Sequence, residues 1–164
     1  MSTPVLQIRN LEKNYAGPSG RVGAVAGVSL TLAAGEFVAV QGPSGCGKST
    51  LLLAAGGLLA PDVGTVSVAG EDLYAMSGDG RARYRAAKIG FVFQQFHLIP
   101  YLDVFDNVAA PTMALPIADV RRKAEELIAR FGLGHRLRHV PASLSTGERQ
   151  RAALARALIH DPPL

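Results

Sequence analysis

The chain of 164 residues has little of what marks a secreted or membrane-embedded protein. It contains one cysteine, Cys46, which excludes an internal disulfide framework and fits a reducing compartment. Residues 1–14 hold no apolar stretch of the kind that a secretory signal peptide requires. The longest apolar run, residues 51–60, is too short to span a bilayer. If the protein serves a membrane, we therefore expect it to act there through a partner.

The composition is that of a single globular domain. Hydrophobic residues make up 48% of the chain and charged residues 18%, which is too apolar for a disordered protein. Lysine and arginine exceed aspartate and glutamate by 17 to 13, a mild excess that is spread along the chain. We expect no nucleic-acid partner from so diffuse a charge. Four arginines near the predicted last helix are interpreted mainly as a solvated face: Arg136, Arg138, Arg149 and Arg151.

Against this background one glycine-rich segment carries a complete G-x-x-x-x-G-K-[ST] pattern. It lies between an apolar run at residues 36–41, predicted to be a strand, and a helix-like run at residues 51–59. Glycines allow a positive φ, so consecutive amides can turn inward around a phosphate at the start of a helix. The segment consists of Gly42, Pro43, Ser44, Gly45, Cys46, Gly47, Lys48, Ser49 and Thr50.

Each polar side chain of this segment has a predicted role in nucleotide binding. Lys48 is a flexible cation that reaches phosphate oxygens, and we treat it as a catalytic candidate. Ser49 is predicted to place its hydroxyl on Mg²⁺, and Thr50 adds a hydroxyl near the phosphates. Cys46 fills a free position of the pattern as a small side chain. A chance match of four fixed positions would occur at about the 1% level, and the flanking elements lower it further.

The rest of the chain alternates between strand-like and helix-like segments. Three segments have the pattern of helices: residues 51–59, residues 120–131 and residues 145–160. Gly132 would cap the C-terminal end of the second, and the third begins with capping-box spacing. Residues 77–83 are predicted to be a polar surface excursion. Strands are predicted to begin at residues 5–8 and to occupy residues 24–32, 36–41, 65–68 and 89–93.

Three features in order resemble the ATP-binding domain of ABC transporters. Tyr15 precedes the glycine-rich loop, Gln94 follows the apolar run at 89–93, and residues 144–151 read L-S-T-G-E-R-Q-R. The resemblance implies an α/β fold with a P-loop NTPase (RecA-like) core, an antiparallel β subdomain and a helical signature subdomain. We expect residues 1–94 to form the β subdomain and part of the core, residues 95–145 the mostly helical subdomain, and residues 146–164 the signature helix. Residues 89–101 and 141–148 further resemble the bacterial lipoprotein-release, macrolide-export and cell-division group.

The resemblance also implies site residues outside the loop. Tyr15 would stack on adenine, although a tyrosine at a strand end is more often a core or rim residue. Gln94 would contact Mg²⁺ or the attacking water, with Gln95 as the competing candidate. Ser145 and Gly147 would contact the γ-phosphate of ATP held by a second subunit, close to a helix N-terminus.

As a whole the resemblance implies an ATP-binding subunit that couples the binding and hydrolysis of ATP, with Mg²⁺, to transport. Its expected partners are a transmembrane permease subunit and a second ATP-binding subunit, at the cytoplasmic face of the cell membrane. The alternatives are a nucleotide-binding fragment without hydrolysis, or a soluble ABC-type ATPase acting on DNA or ribosomes. A P-loop kinase is disfavoured by the segment at 144–148 and by the lack of an identifiable acceptor site.

The sequence stops at Asp161-Pro162-Pro163-Leu164, where the resembled family continues into an apolar strand that ends in Asp-Glu. We therefore expect a C-terminally truncated domain with an incomplete core sheet. The intact parent would be an ATPase, and the 164-residue chain is expected to be inactive alone.

Overall fold

The computed structural model describes residues 3–17 and 20–164. These residues divide into two compact units. The first unit extends to Arg85 and includes Pro163–Leu164, and the second comprises Ala86–Pro162. The three-part division expected from the sequence stays a prediction. Among the described residues, no helix has both the length and the apolar character needed to cross a membrane.

The first unit is built on one antiparallel sheet with the strand order β2-β1-β3-β4. The central strand β1 pairs with β2 on one side and β3 on the other, so that Leu6 faces both Leu32 and Val68. This arrangement confirms the first, second and fourth of the predicted strands. The four strands are β1 Leu6–Gly17, β2 Gly20–Leu32, β3 Val63–Val68 and β4 Glu71–Asp72.

A register irregularity in β1 decides which side chains enter the core. Leu6 and Ile8 alternate on the buried face, and Leu11 is also fully buried although it falls on the opposite parity. The register shifts between Ile8 and Leu11, and Asn10 there has a φ of 47°. Because side chains in a strand alternate with period two, a bulge of this kind is needed to bring Leu11 back to the core face.

Two helices complete the first unit, and one of them corrects the sequence analysis. Helix α1 is Lys48–Ala55 and helix α2 is Gly78–Lys88. The polar residues 77–83 lie at the surface as expected, but they begin helix α2, which the sequence analysis did not predict. Its first turn is capped by the hydroxyl of Ser77, which accepts from the amide of Gly80 at 3.1 Å, and Tyr84 anchors it to the carbonyl of Val68. Two glycines in the first turn hide this helix from a propensity argument.

Two predicted strands were also wrong. Residues 36–41 and 89–93 belong to no β-ladder, and Phe37 is 92% exposed. An apolar run of this kind is typical of a central parallel strand, but a strand exists only through hydrogen bonds to a neighbour. Within the described residues the one sheet is entirely antiparallel and pairs with neither run, which agrees with the expected incomplete core sheet.

The second unit is helical. Helix α3 is Val104–Ala109, helix α4 is Val120–Arg130 and helix α5 is Thr146–Ala157, with short 3-10 turns at Ala110–Met113, Gly134–Arg136 and Pro141–Ser143. The predicted periodicity of α4 is confirmed, and Gly132 after it has the positive φ of 68° typical of a C-terminal cap. The buried core of this unit consists of Val104, Val108, Ala124, Leu127, Ile128, Leu133, Leu144, Ala152, Ala155 and Ile159.

Asn107 is a buried polar side chain that folds a loop onto α3. Its Oδ1 accepts from the amide of Ile99 at 2.7 Å, and its Nδ2 donates to the carbonyls of Ile99 and Leu102 at 3.1 and 2.9 Å. Nδ2 also donates to the carbonyl of Asp103 at 3.0 Å. Because buried amide groups are costly when unpaired, these four bonds fix the path of the chain before α3.

Candidate nucleotide-binding site

The glycine-rich loop adopts a conformation that its glycines make possible. Gly42, Gly45 and Gly47 have φ values of 153°, 82° and 89°, a region that other residues rarely enter. A Cβ built on Gly47 would lie 1.9 Å from the carbonyl oxygen of Ala24, which no substituent can tolerate. The loop therefore passes directly against strand β2 at the residue where α1 begins.

Lys48 lies across the mouth of this loop. Its Nζ donates to the carbonyl oxygens of Gly42 and Pro43, at 2.9 and 2.6 Å, and lies 3.6 Å from the Sγ of Cys46. The first helical hydrogen bond of α1 runs from the amide of Leu51 to the carbonyl of Gly47. The amides at the start of α1 precede that bond, so they have no intrahelical acceptor and are available to bind an anion on the loop side.

The loop thus has the chemistry of a phosphate cradle. Backbone amides, a helix N-terminus and one lysine ammonium converge over seven residues, and a side chain at Gly47 would fill the space between loop and sheet. Ser49 is exposed beside it, and Thr50 is half-buried. Among residues 3–17 and 20–164, no group of three or more His, Cys, Asp or Glu side chains is placed to hold a metal ion. A metal here would be Mg²⁺ held through phosphates and a hydroxyl, the mode in which Mg²⁺ keeps several waters.

Tyr15 lies on β1 and is 43% exposed. It lines a cavity of about 640 Å³ together with Arg21 and Asp62, and that cavity does not include the glycine-rich loop. Strand β2 connects Tyr15 to the glycine-rich loop. Tyr15 pairs with Val22 of β2, and two residues further along β2 the carbonyl of Ala24 contacts the loop. Two residues of strand span about 7 Å. The backbone of Tyr15 is thus close to the loop along the ladder, whereas its ring lines a separate cavity.

The segment at 144–151 forms the predicted helix start. Ser145 is the N-cap of α5, with its Oγ accepting from the amide of Glu148 at 3.2 Å. The carboxylate of Glu148 accepts in return from the amide of Ser145 at 2.8 Å, so the capping box is complete. Gly147 is exposed in the first turn. The amides of Thr146 and Gly147 are therefore presented to solvent at the positive end of the helix dipole.

Two of the four arginines assigned to a solvated face also form ion pairs. The Nε of Arg136 donates to Oε1 of Glu148 at 2.9 Å, and the Glu148 side chain is only 11% exposed. Arg138 is paired with Asp103 at 3.2 Å. Because these partners lie 12 and 35 residues apart in sequence, local patterns do not reveal the pairs.

The ionised form of Glu148 stabilises the folded chain. Hydrogen bonds from the backbone and side chain of Ser145, followed by that from Arg136, lower the pKa of Glu148 from 4.5 to about 2. Since the folded pKa lies below the unfolded one, this contribution is complete above pH 4.5, declines as the pH falls, and is lost below about pH 2.

Replacing Glu148 with Gln is expected to make the free energy of unfolding vary less with pH in the acid range. Glutamine keeps the capping acceptor but cannot carry the charge that pairs with Arg136. The free energy of unfolding from urea titrations should differ most between the two proteins above pH 4.5, with the difference shrinking towards pH 2. Glu148→Ala, which also removes the cap, should be less stable than Glu148→Gln at every pH. A difference between wild type and Glu148→Gln that does not change with pH would contradict this assignment.

Gln94 lies in the second unit, directly after residues 89–93. Both Gln94 and the competing Gln95 are exposed in a turn, and they are followed by Phe96 and His97 with φ values of 60° and 44°. The side chains of Phe93 and His97 meet edge to face with ring centroids 5.0 Å apart. The turn is therefore tightly wound, and both of its glutamines are exposed to solvent.

Three groups were missed by the sequence reasoning. They are the carbonyl of Ala24, which packs on the loop, the guanidinium of Arg136, and the guanidinium of Arg156, which reaches the turn after Gln94. The only sequence signal for them was the density of arginines near α5, which does not identify partners.

Comparison with known proteins places the chain among ATP-binding cassettes. The model of a family described as ABC transporter matches residues 25–164. The lipoprotein-releasing system ATP-binding protein LolD of Pseudomonas fluorescens is 46% identical over 162 residues, covering 98% of this chain and 71% of that protein. The macrolide export ATP-binding/permease protein MacB of Chlorobium luteolum is 44% identical over 98% of this chain, which corresponds to 24% of that protein.

A solved structure shares the fold. The dimeric structure of a post-hydrolysis state of the ATP-binding cassette MJ0796, bound to ADP and Pi, matches with a TM-score of 0.88 and 37% identity. The match covers 96% of this chain and 70% of that one.

Proposed function

The chain belongs to the ABC transporter family, and we propose that it is the ATP-binding subunit of a transporter, working with a membrane permease. Its role would be to couple the binding and hydrolysis of ATP to movement of the permease. The observation that carries this proposal is the loop from Gly42 to Thr50, where backbone amides, the start of α1 and Lys48 converge on one anion site.

Different residues of the loop would bind different parts of Mg²⁺-ATP. The amides around Gly45 and Gly47 enclose phosphate oxygens, and Lys48 exchanges its two carbonyl partners for them. Ser49 provides the hydroxyl for Mg²⁺, which when bound neutralises charge on the phosphates and organises them for transfer of the terminal phosphate. Tyr15 provides an aromatic face for adenine beyond the loop, at the end of the β1–β2 ladder.

A second copy of the chain completes the site. The exposed first turn of α5 offers the amide of Gly147 and the hydroxyl of Ser145 to the γ-phosphate of a nucleotide bound by the other copy. The dimeric state of the ATP-binding cassette MJ0796 supports this arrangement. Thr146 replaces a glycine of the family pattern, and its Cβ narrows the approach to that phosphate.

Coupling to the permease is assigned to the segment after Gln94. Gln94 is proposed to contact Mg²⁺ or the attacking water, and the apolar side chains that follow it would contact the permease. Of these, Tyr101 is 80% exposed, whereas Leu98, Ile99 and Phe105 are partly buried. The chain would therefore lie at the cytoplasmic face of the membrane, held there by its partner. The similarity to LolD and MacB supports a place in the lipoprotein-release and macrolide-export group.

Equilibrium titration tests the proposal directly. We expect the chain to bind ATP at one saturable site, more tightly with Mg²⁺ than with EDTA, as followed by isothermal titration calorimetry. Inorganic tripolyphosphate should compete, because the loop recognises phosphates, but more weakly than ATP, because it offers no base to Tyr15. Absence of saturable ATP binding by the folded chain would contradict the proposal.

A further inference from the structure

The turn that carries Gln94 contains two residues in an unfavourable backbone conformation. Phe96 and His97 have φ values of 60° and 44°, in the left-handed region that non-glycine residues rarely occupy, and they are consecutive. Such a conformation persists only where surrounding groups hold it, and it is found at functional sites more often than elsewhere. The turn at Phe96 and His97 therefore needs a group that holds it in place.

The guanidinium of Arg156 supplies that contact. Its NH1 donates to the carbonyl of His97 at 2.6 Å and its NH2 donates to the carbonyl of Phe96 at 2.5 Å. Two parallel bonds from one planar guanidinium fix the orientation of both peptide units, which a single point charge cannot do. Burial of this guanidinium lowers the pKa of Arg156, although the group remains charged because arginine does not lose its proton in proteins.

The far end of the same segment is held by a different side chain. Asn107 binds the backbone of Ile99 and Leu102 through the bonds described above. The segment from Gln94 to Leu102 is therefore fixed at two places, from α5 at one and from α3 at the other. Gln94 lies two residues before the nearer of these contacts, which is at Phe96 and His97.

We propose that Arg156 is a positioning residue, which sets the direction of Gln94 by holding the two left-handed residues that follow it. Arg156 lies on α5, whose N-cap is Ser145. Eleven residues of helix separate the two, about 16 Å. A single rigid helix thus joins the turn at Ser145 to the turn at Gln94 within one unit, so displacement of one end is felt at the other. This inference rests on the proposed role of Gln94 in nucleotide binding.

Hydrogen exchange of the nucleotide-free chain tests the structural part. The amides of Phe96 and His97 are hydrogen-bonded within the turn, and that of Ile99 to Asn107. In Arg156→Ala we expect exchange of the Phe96 and His97 amides to accelerate about tenfold, with the Ile99 amide, held by Asn107, and α4 unchanged. Arg156→Lys should recover part of the protection, because an ammonium can serve one carbonyl at a time. Arg130→Ala, an exposed arginine at the end of α4, is the matched control.

Binding of ATP with and without Mg²⁺ tests the link to Gln94. Gln94→Ala and Arg156→Ala should lose the same part of the Mg²⁺-dependent gain in affinity, about tenfold, whereas the exposed control Arg130→Ala should keep the whole gain. Arg156→Lys should restore part of that gain. If the wild type bound no ATP, the proposed function would fail, and the exchange experiment would still decide whether Arg156 holds the turn.

Two results would overturn the assignment. One is unchanged exchange of the Phe96 and His97 amides in Arg156→Ala. The other is loss of protection across α4 in both Arg156→Ala and Arg156→Lys, which would make Arg156 a general core residue with no particular effect on Gln94.

Discussion

Replacing Lys48 with Ala is expected to weaken ATP binding about a hundredfold, which corresponds to about 2.7 kcal/mol. The ammonium of Lys48 is held at the mouth of the loop by the carbonyls of Gly42 and Pro43, within reach of any phosphate that the loop amides enclose. Charge-assisted hydrogen bonds to phosphate are about twice as strong as neutral ones. Isothermal titration calorimetry with Mg²⁺-ATP measures the loss.

The control for this variant is Lys88→Ala, which removes an equal charge from an exposed position at the end of α2. Circular dichroism should show both variants folded, because the hydrogen bonds of the Lys48 ammonium are made to its own loop. If Lys48→Ala bound ATP with an affinity within threefold of the wild type, this loop would be excluded as the phosphate site.

The glycine-rich loop and the capping box were predictable because each depends only on residues that are close together in the sequence. The glycines between Gly42 and Gly47 have the positive φ values expected of them, and Ser145 and Glu148 form the two reciprocal bonds that their spacing indicates. The resemblance to the ATP-binding domain of ABC transporters is confirmed by the family match over residues 25–164. The site roles of Tyr15 and Gln94 stay predictions, since they depend on where a nucleotide lies.

The wrong predictions depend on partners that sequence patterns do not reveal. Residues 36–41 are as apolar as a central strand, yet they have no strand beside them among the described residues, and Val38 and Val40 are 45% and 37% exposed. The same limit applies to side chains. Arg156 meets carbonyls 59 and 60 residues away, and no local periodicity distinguishes it from the exposed arginines of the same helix.

Replacing Gly47 with Ala should destabilise the first unit by about 4 kcal/mol or more, whether or not nucleotide is present. The new Cβ would meet the backbone oxygen of Ala24 at 1.9 Å, so either the loop or strand β2 must move. The φ of 89° adds backbone strain. A melting temperature lower by about 10 °C, from circular dichroism of the nucleotide-free chain, is the expected result.

Gly45→Ala separates the steric contribution from backbone strain. Gly45 has nearly the same φ, 82°, but a Cβ there has no heavy atom within 4 Å. Only the cost of the left-handed conformation remains, about 1–2 kcal/mol, so its melting temperature should fall by about 5 °C. Equal destabilisation by the two variants would show that Gly47 does not pack against β2. The loop would then not lie as close to the sheet as the structure shows. The shape of the phosphate cradle depends on that close approach.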